Sequence, residues 1–341
     1  MVSKDNEKII NTPNPLQSID TRVFYPNWEN SPPEQQSVIK QGNKHLLSKG
    51  GLLTICAKPG VGKSSVTEAI ISSHLNKDSD SLGMSITLLD GKTKVLICDT
   101  ERSDWESHKA WKTLMKRAGI KKGIGIEESI IFANLKRLNA TEKKQYIEKA
   151  LNTDKSIGLV VFDGASDFLD NSNDLIETNN FIGWLSRLDS SISFVCTIHT
   201  NPTDDKPRGH FGSELCRKSE CVLLLRRIDA RKNEITSDFL DGKNRHGEAI
   251  IWQYTYNQEE DMFVSVDITP TPIFNEKNYQ IALKIWGEQE YLSYTDIISR
   301  ISNEMNKTNE AAVNFYKYNF KDKFIEKVDG KGWKISRVNL G

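Results

Sequence analysis

The stretch Leu52–Ser65, LLTICAKPGVGKSS, constrains this chain more than any other. Leu52–Cys56 is an apolar run long enough for one buried strand and too short for a helix. Pro59, Gly60 and Gly62 follow, then Lys63, Ser64 and Ser65, then helical spacing through Val66, Ala69, Ile70 and His74. Strand, glycine-rich turn and helix is the setting of a phosphate-binding loop. Backbone N–H groups of such a turn converge on an anion, and the positive end of the helix dipole faces the same point. The loop would comprise Ala57, Lys58, Pro59, Gly60, Val61, Gly62, Lys63, Ser64 and Ser65. Lys63 would reach the β- and γ-phosphates, and the Ser64 hydroxyl would ligate Mg²⁺. Ala57 replaces the first glycine of the G-x-x-x-x-G-K-[ST] pattern, and alanine keeps the turn intact where φ is negative. The pattern implies binding of a nucleoside triphosphate such as ATP.

Composition sets the outer bounds. A length of 341 residues suits one large domain with a small one, or two medium ones. Lys plus Arg and Asp plus Glu number 46 each, so no global charge draws the protein to nucleic acid or membrane, and any basic surface is local. No apolar run approaches the ~18 residues of a membrane span, and the polar N-terminus lacks a signal-peptide core. The expectation is a cytoplasmic protein with no membrane partner. Cys56, Cys98 and Cys196 sit in apolar strand-like runs as small hydrophobes, and Cys216 and Cys221 lack zinc spacing.

Read in order, residues 1–30 form an arm that either packs on the core or a neighbouring subunit, or is a tail. Ser31–Ser48 reads as a polar, helical lead-in. Asp78–Gly83 is a loop, Lys94–Asp99 (KVLICD) a strand, and Asp104–Ala118 a helix. Ile130–Ala133 is a strand, and Thr141–Leu151 a helix with a Thr cap. Ile157–Asp163 (IGLVVFD) is a strand ending in an acid, Leu175–Leu188 an amphipathic helix, and Ser193–His199 (SFVCTIH) another strand. From Glu220 onward, Cys221–Leu225, Glu234–Leu240, Ile250–Tyr256 and Phe263–Val266 suggest short strands joined by tight turns. The fold class expected over 31–270 is α/β, a parallel sheet with helices on both faces and antiparallel strands at its edge.

Ligands of open α/β sheets bind beyond the carboxyl ends of the strands. Four strands deliver functional groups there: the phosphate loop, Glu101, Asp163 and His199. Asp163 is placed to hold the Mg²⁺ shell, and Glu101 to orient the water attacking the γ-phosphate.

AKPGVGKSS, the Asp99-Thr100-Glu101-Arg102-Ser103 strand end, LVVFDGASDFL and IHTNPTDDKPRGHFGSEL, in this order, resemble the RecA/DnaB-type ATPase core. The match is nearest to the RepA-like hexameric helicase branch and related mobile-element ATPases, and it covers roughly residues 30–268. The resemblance implies that Glu101 is the catalytic base, Asp163 the second metal-site acid and His199 the γ-phosphate sensor. It also implies that Asn201–Gly212, carrying Lys206, Arg208 and His210, is a mobile loop facing DNA in a ring channel; a solvated surface loop is the alternative. Gly242–Gly247 resembles the K-x-R segment that such helicases insert into the neighbouring subunit's site, making Lys243 and Arg245 fingers supplied in trans. A homo-oligomeric ring, a hexamer, is the implied assembly.

Thr269-Pro270-Thr271-Pro272 punctuates the chain. Beyond it, Tyr279–Trp286, Tyr294–Ile301 and Lys307–Phe320 read as helices. Lys323–Val328 and Trp333–Val338 read as a hairpin with a glycine-rich turn. Three helices and a hairpin over 276–341 resemble a winged helix-turn-helix. Eight Lys and Arg face four Asp and Glu between Lys307 and Arg337, with Lys317, Lys321, Lys331 and Lys334 as candidate DNA contacts. Such a module binds either DNA or a protein. The combined expectation is a ring-forming ATPase acting on DNA in replication or mobilisation of a genetic element. The rivals are an ATP-gated DNA-binding regulator or loader, and a protein-directed ATPase whose partner is a primase, a nuclease or a defence effector.

Overall fold

The computed structural model describes residues 34–121, 125–202, 204–228, 232–237, 242–247, 249–266, 276–320 and 325–335. The expected arm at 1–30 and the punctuation at Thr269–Pro272 lie outside these. The chain divides into two compact units, Met1–Val266 and Asp267–Gly341.

The first unit opens with strands β1 (Ser37–Gln41) and β2 (Lys44–Ser48), an antiparallel pair, where a helix was expected over Ser31–Ser48. Polar composition misleads there. Val38 and Ile39 are β-branched, and Gly42 reverses the chain at φ +54, a turn open to glycine at no steric cost. Strand β3 (Leu52–Ala57) runs into the phosphate loop and helix α1 (Lys63–Leu75). After the loop at Asp78–Gly83 comes β4 (Met84–Ile86), which the sequence pattern did not suggest and which joins β1 and β2 in a small sheet. Next are β5 (Lys94–Asp99), α2 (Asp104–Arg117), β6 (Ile130–Asn134) and α3 (Ala140–Thr153). The cap of α3 is Asn139 rather than a threonine: Asn139 and Glu142 exchange side-chain and backbone hydrogen bonds in a capping box. Strand β7 (Ile157–Asp163), α4 (Leu175–Arg187) and β8 (Ser193–His199) continue the parallel set.

Helix α5 (Gly209–Lys218) follows, so only the front of the expected mobile loop Asn201–Gly212 is loop. Even that part is braced, because Thr200 bridges Pro207 and the Asn201 N–H donates to the Lys206 carbonyl. Strand β9 (Cys221–Arg227) then joins β3 in parallel, and β10 (Lys232–Thr236), β11 (Lys243–Asn244), β12 (Ile251–Asn257) and β13 (Met262–Ser265) extend the sheet antiparallel from it.

The sheet order is β13-β12-β10-β9-β3-β8-β7-β5-β6, with β11 also on β9. Side chains alternate across it, as the two-residue period of a strand requires. Leu53, Ile55, Val95, Ile97, Leu159 and Val161 face one core with α1, while Cys56, Leu96, Cys98, Val160 and Phe162 face another with α3, α4 and α5. Phe162 centres the second core, edge-on to Phe168, Phe181 and Trp184. No helix among the described residues is long and apolar enough to cross a membrane.

The second unit holds α6 (Glu276–Trp286), α7 (Tyr294–Glu304), α8 (Asn309–Asn319) and the hairpin β14 (Ile325–Val328) and β15 (Gly332–Ile335). Ser293 and Thr308 cap α7 and α8 through side-chain hydrogen bonds. Ile285, Trp286, Ile297, Ile301, Tyr316 and Phe320 form its own core. Leu292 bridges Trp333 antiparallel, which ties the α6–α7 connection to the hairpin.

Candidate functional site

Parallel pairing carries four chain segments to one edge of the sheet. Ala57 lies beside His199, and Asp99 beside Asp163, in strand register. Strand β8 lies between β3 and β7, so the strands carrying the phosphate loop and Asp163 flank the His199 strand end, and the Ser64 side chain reaches across to Asp163.

The phosphate loop turns on two glycines with positive φ, Gly60 at +78 and Gly62 at +95. A Cβ on Gly62 would collide with the Phe263 ring, so glycine is needed there for space as well as for φ. Gly62 is also the N-cap of α1 and offers no side-chain cap, which leaves the first N–H groups of the helix open to an anion. Lys63 is buried, and its Nζ lies 3.0 Å from His199 Nδ1. Burial pulls the Lys63 ammonium down from its usual range, against the Glu101 and Asp163 charges that favour it. His199 Nε2 lies 3.5 Å from Glu101 Oε1. Lys63, His199 and Glu101 therefore form a chain of polar contacts. Lys63 Nζ also lies 3.4 Å from His199 Nε2, so the imidazole sits between the ammonium and the Glu101 carboxylate. The His199 contact holds the Glu101 carboxyl below its usual range, more strongly than burial raises it.

Asp163 is buried, and burial raises its carboxyl; Arg102 and the Ser64 and Thr197 hydroxyls act the other way. Thr197 Oγ1 donates to Asp163 Oδ1 at 2.9 Å. An all-oxygen pair of Ser64 hydroxyl and Asp163 carboxylate at the start of α1 fits Mg²⁺, a hard ion that keeps most of its waters. Among the described residues, the Thr200 hydroxyl, one residue past His199, is buried without a hydrogen-bond partner. Such an atom at a ligand edge suits an acceptor from outside the chain.

Two residues that the motif reading passed over complete the site. Arg102 Nη2 lies 2.6 Å from Glu68 Oε1 and 3.7 Å from Asp163 Oδ2, and Nη1 lies 3.4 Å from Asp99 Oδ2. Asp99 in turn accepts from the Glu101 and Arg102 N–H groups and from Ser107 Oγ, which fixes the backbone that carries Glu101. Glu68 was detectable as a lone acid on the apolar face of α1, one turn after Ser64. Burial pushes its carboxyl up to about 7, partly countered by Arg102.

That shift makes stability depend on pH. Between the unfolded value near 4.5 and the folded value of about 7, the folded chain holds the extra proton. The Glu68 contribution is therefore present at low pH and is lost as pH rises through about 7. Relative to wild type, Glu68→Gln is expected to gain up to ~3 kcal/mol between about pH 5 and 8, measured by denaturant unfolding at each pH. A flat difference across that window would remove Glu68 as the titrating group.

The other expected site residues lie elsewhere. Lys243 Nζ bonds the Cys216 and Arg217 carbonyls at 3.2 and 2.9 Å, and Arg245 Nη2 bonds the Arg217 carbonyl at 2.9 Å. Both cations cap the C-terminus of α5 within their own subunit. Lys206, Arg208 and His210 are exposed. Their loop also contains Asp205, which pairs with Lys58 of the phosphate loop at 3.4 Å and with Arg226 at 3.8 Å. Lys331 lies over the Tyr291 ring and Lys334 pairs with Glu326 at 2.9 Å. Lys317 falls within α8, but its side chain, like all of Lys321, lies outside the described residues.

Residues 13–203, more than half of the chain, match the family model described as an AAA domain. The match includes the phosphate loop, Glu101, Asp163 and His199, and ends before Lys243 and Arg245. No curated protein matches the sequence.

Proposed function

We propose, starting from the fact that this chain belongs to the AAA domain family of P-loop ATPases, that it is a RecA/RepA-like ring motor that couples ATP hydrolysis to work on DNA. The observation that carries this reading is the Lys63–His199–Glu101 chain of contacts at the sheet edge, with Asp163 alongside. Such an arrangement joins a phosphate cation, a sensor and a base through one imidazole. The phosphate loop and Lys63 bind the β- and γ-phosphates, and Ser64 and Asp163 would hold Mg²⁺. When bound, that ion neutralises charge developing across the transferred phosphoryl group. Glu101 orients the attacking water and accepts its proton. His199, touching both Lys63 and Glu101, registers whether a γ-phosphate is present.

A route from the nucleotide to DNA is supported by the Lys58–Asp205 pair, which ties the phosphate loop to the segment bearing Lys206 and Arg208. The C-terminal unit, three helices and a hairpin, is read as a winged helix that adds a second DNA contact through its lysines. Lys243 and Arg245 are read as fingers that leave the α5 terminus for a neighbouring site when the ring, a hexamer, assembles.

A second reading has its own support. Trp105 and Ile176 are each 72% exposed and Leu175 is 55% exposed, which favours a protein surface against this unit. On that reading the ATPase serves a partner protein such as a primase or nuclease, or the chain is an ATP-gated regulator or loader.

The test is ATP turnover against protein concentration, with and without single- and double-stranded DNA. Turnover per subunit is expected to rise with both concentration and DNA. Turnover indifferent to both would end the ring-motor reading and leave the protein-directed one.

A further inference from the structure

Two histidines and a glutamate meet at the end of the sheet remote from the nucleotide. His45 comes from β2, Glu220 immediately precedes β9, and His246 lies in the turn after β11. One ligand atom from each, two imidazole nitrogens and a carboxylate oxygen, lie within 4.8 Å of one another. The His45 and His246 rings stack with centroids 4.0 Å apart and planes 27° apart. His246 Nε2 is 3.1 Å from Glu220 Oε2. In strand register Cys221 pairs with Leu53 and Leu225 with Ala57, so Glu220 is roughly 16 Å along the strand from the phosphate-loop end.

We propose that His45, Glu220 and His246 form a binding site for a divalent transition-metal ion of the zinc or cobalt class, separate from the nucleotide site. Two imidazoles and one carboxylate are the donor set such borderline ions take, whereas Mg²⁺ asks for oxygen alone. The supporting groups are already placed. The Ser48 N–H donates to Glu220 Oε2 at 2.8 Å, and Ser48 Oγ lies 2.8 Å from His45 Nε2. One residue thus orients two ligands, in the way outer partners fix tautomer and direction in metal sites.

Tetrahedral coordination sets donor atoms roughly 3.3 Å apart at bond lengths of about 2.0–2.1 Å. The cluster therefore closes by up to about 1.5 Å, with the rings splaying from their stack. His246 sits in an exposed turn that can make this movement. Three protein ligands leave a position for water. The bound ion would clip β2, the start of β9 and the turn carrying Arg245 into one piece.

The test is a calorimetric titration of the metal-stripped full chain with Zn²⁺ and with Co²⁺, without nucleotide. One equivalent is expected, with a dissociation constant in the micromolar range. His246→Ala should weaken it at least ~10-fold, since even outer-shell changes cost that much. His45→Ala with His246→Ala should abolish it, and Glu220→Gln, which keeps an acceptor for Ser48, should weaken it. Binding of a fluorescent ATP analogue, unchanged in each variant, shows that the fold is retained. The cobalt complex should show visible bands without a near-ultraviolet sulfur charge-transfer band. No binding by wild type, equal binding by the double variant, or a thiolate band would each overturn the site.

Discussion

Glu101→Gln is expected to lower ATP turnover by about 10²–10⁴-fold, the range typical of a removed general base, while nucleotide affinity changes little. Glutamine keeps the volume and a hydrogen-bond acceptor but cannot take the proton of the attacking water. In the proposed reading the phosphates are held by the α1 terminus and Lys63, and Lys63 Nζ makes its direct contact with His199 rather than with Glu101. The described acids beside it are already engaged, Glu68 with Arg102. Asp99 is fully buried and already accepts from the Glu101 and Arg102 N–H groups and Ser107 Oγ. Asp163 is committed to Thr197, Ser64 and Arg102. The Glu101 carboxyl lies below its usual range, with the His199 contact as its leading cause, so in wild type this carboxylate stays ionised as pH falls toward ordinary carboxylate values. Steady-state hydrolysis and equilibrium binding of a fluorescent ATP analogue read the two effects apart. Retention of more than a tenth of wild-type turnover would move the base elsewhere.

Arg245→Ala is expected to reduce turnover by about 10³-fold in the assembled protein, the effect of losing a cation on the transition-state charge. Within its own subunit the Arg245 guanidinium bonds only the Arg217 carbonyl among the contacts seen, on the strand pair remote from its own phosphate loop. A large kinetic effect would therefore have to arise at a neighbour's site. Mixing supplies the decisive readout. Arg245→Ala subunits lack the proposed finger but keep Lys63, and Lys63→Ala subunits keep Arg245 but lose the phosphate-loop lysine. Mixed rings should recover activity that neither variant has alone. The α5 terminus loses one carbonyl partner in the Arg245 variant, a cost of about 0.3–1 kcal/mol in melting experiments. A variant that shows that small loss and near-normal turnover would reduce Arg245 to a helix cap.

Much of the first unit could be read along the chain. Strands β3, β5, β7 and β8 are apolar runs of five to seven residues bounded by turn or acid signals, and their ends mark Ala57, Asp99, Asp163 and His199. The helices announced themselves through 3.6-residue spacing, with Ser293 and Thr308 legible as caps, while the caps at Ser103, Asn139 and Asp174 came from the structure. Reading failed where composition and pattern disagreed. A polar stretch hid the β1–β2 hairpin. Glycines taken as flexible backbone in Asn201–Gly212 instead begin α5, where Gly209 has φ +73 and packs against Asn173.

What sequence alone determined about this protein is therefore a set of elements and the chemical groups at their ends, because periodicity, caps and turn residues act over a few neighbours. Tertiary structure decided which of those groups meet. Glu68 and Arg102 are 34 positions apart, Lys63 and His199 are 136 apart, and His45 reaches Glu220 and His246 across most of the first unit. Those meetings follow from the strand order, with β8 between β3 and β7 and β9 on the other side of β3. Strand order is chosen by the burial of two whole cores, and no local pattern contains it.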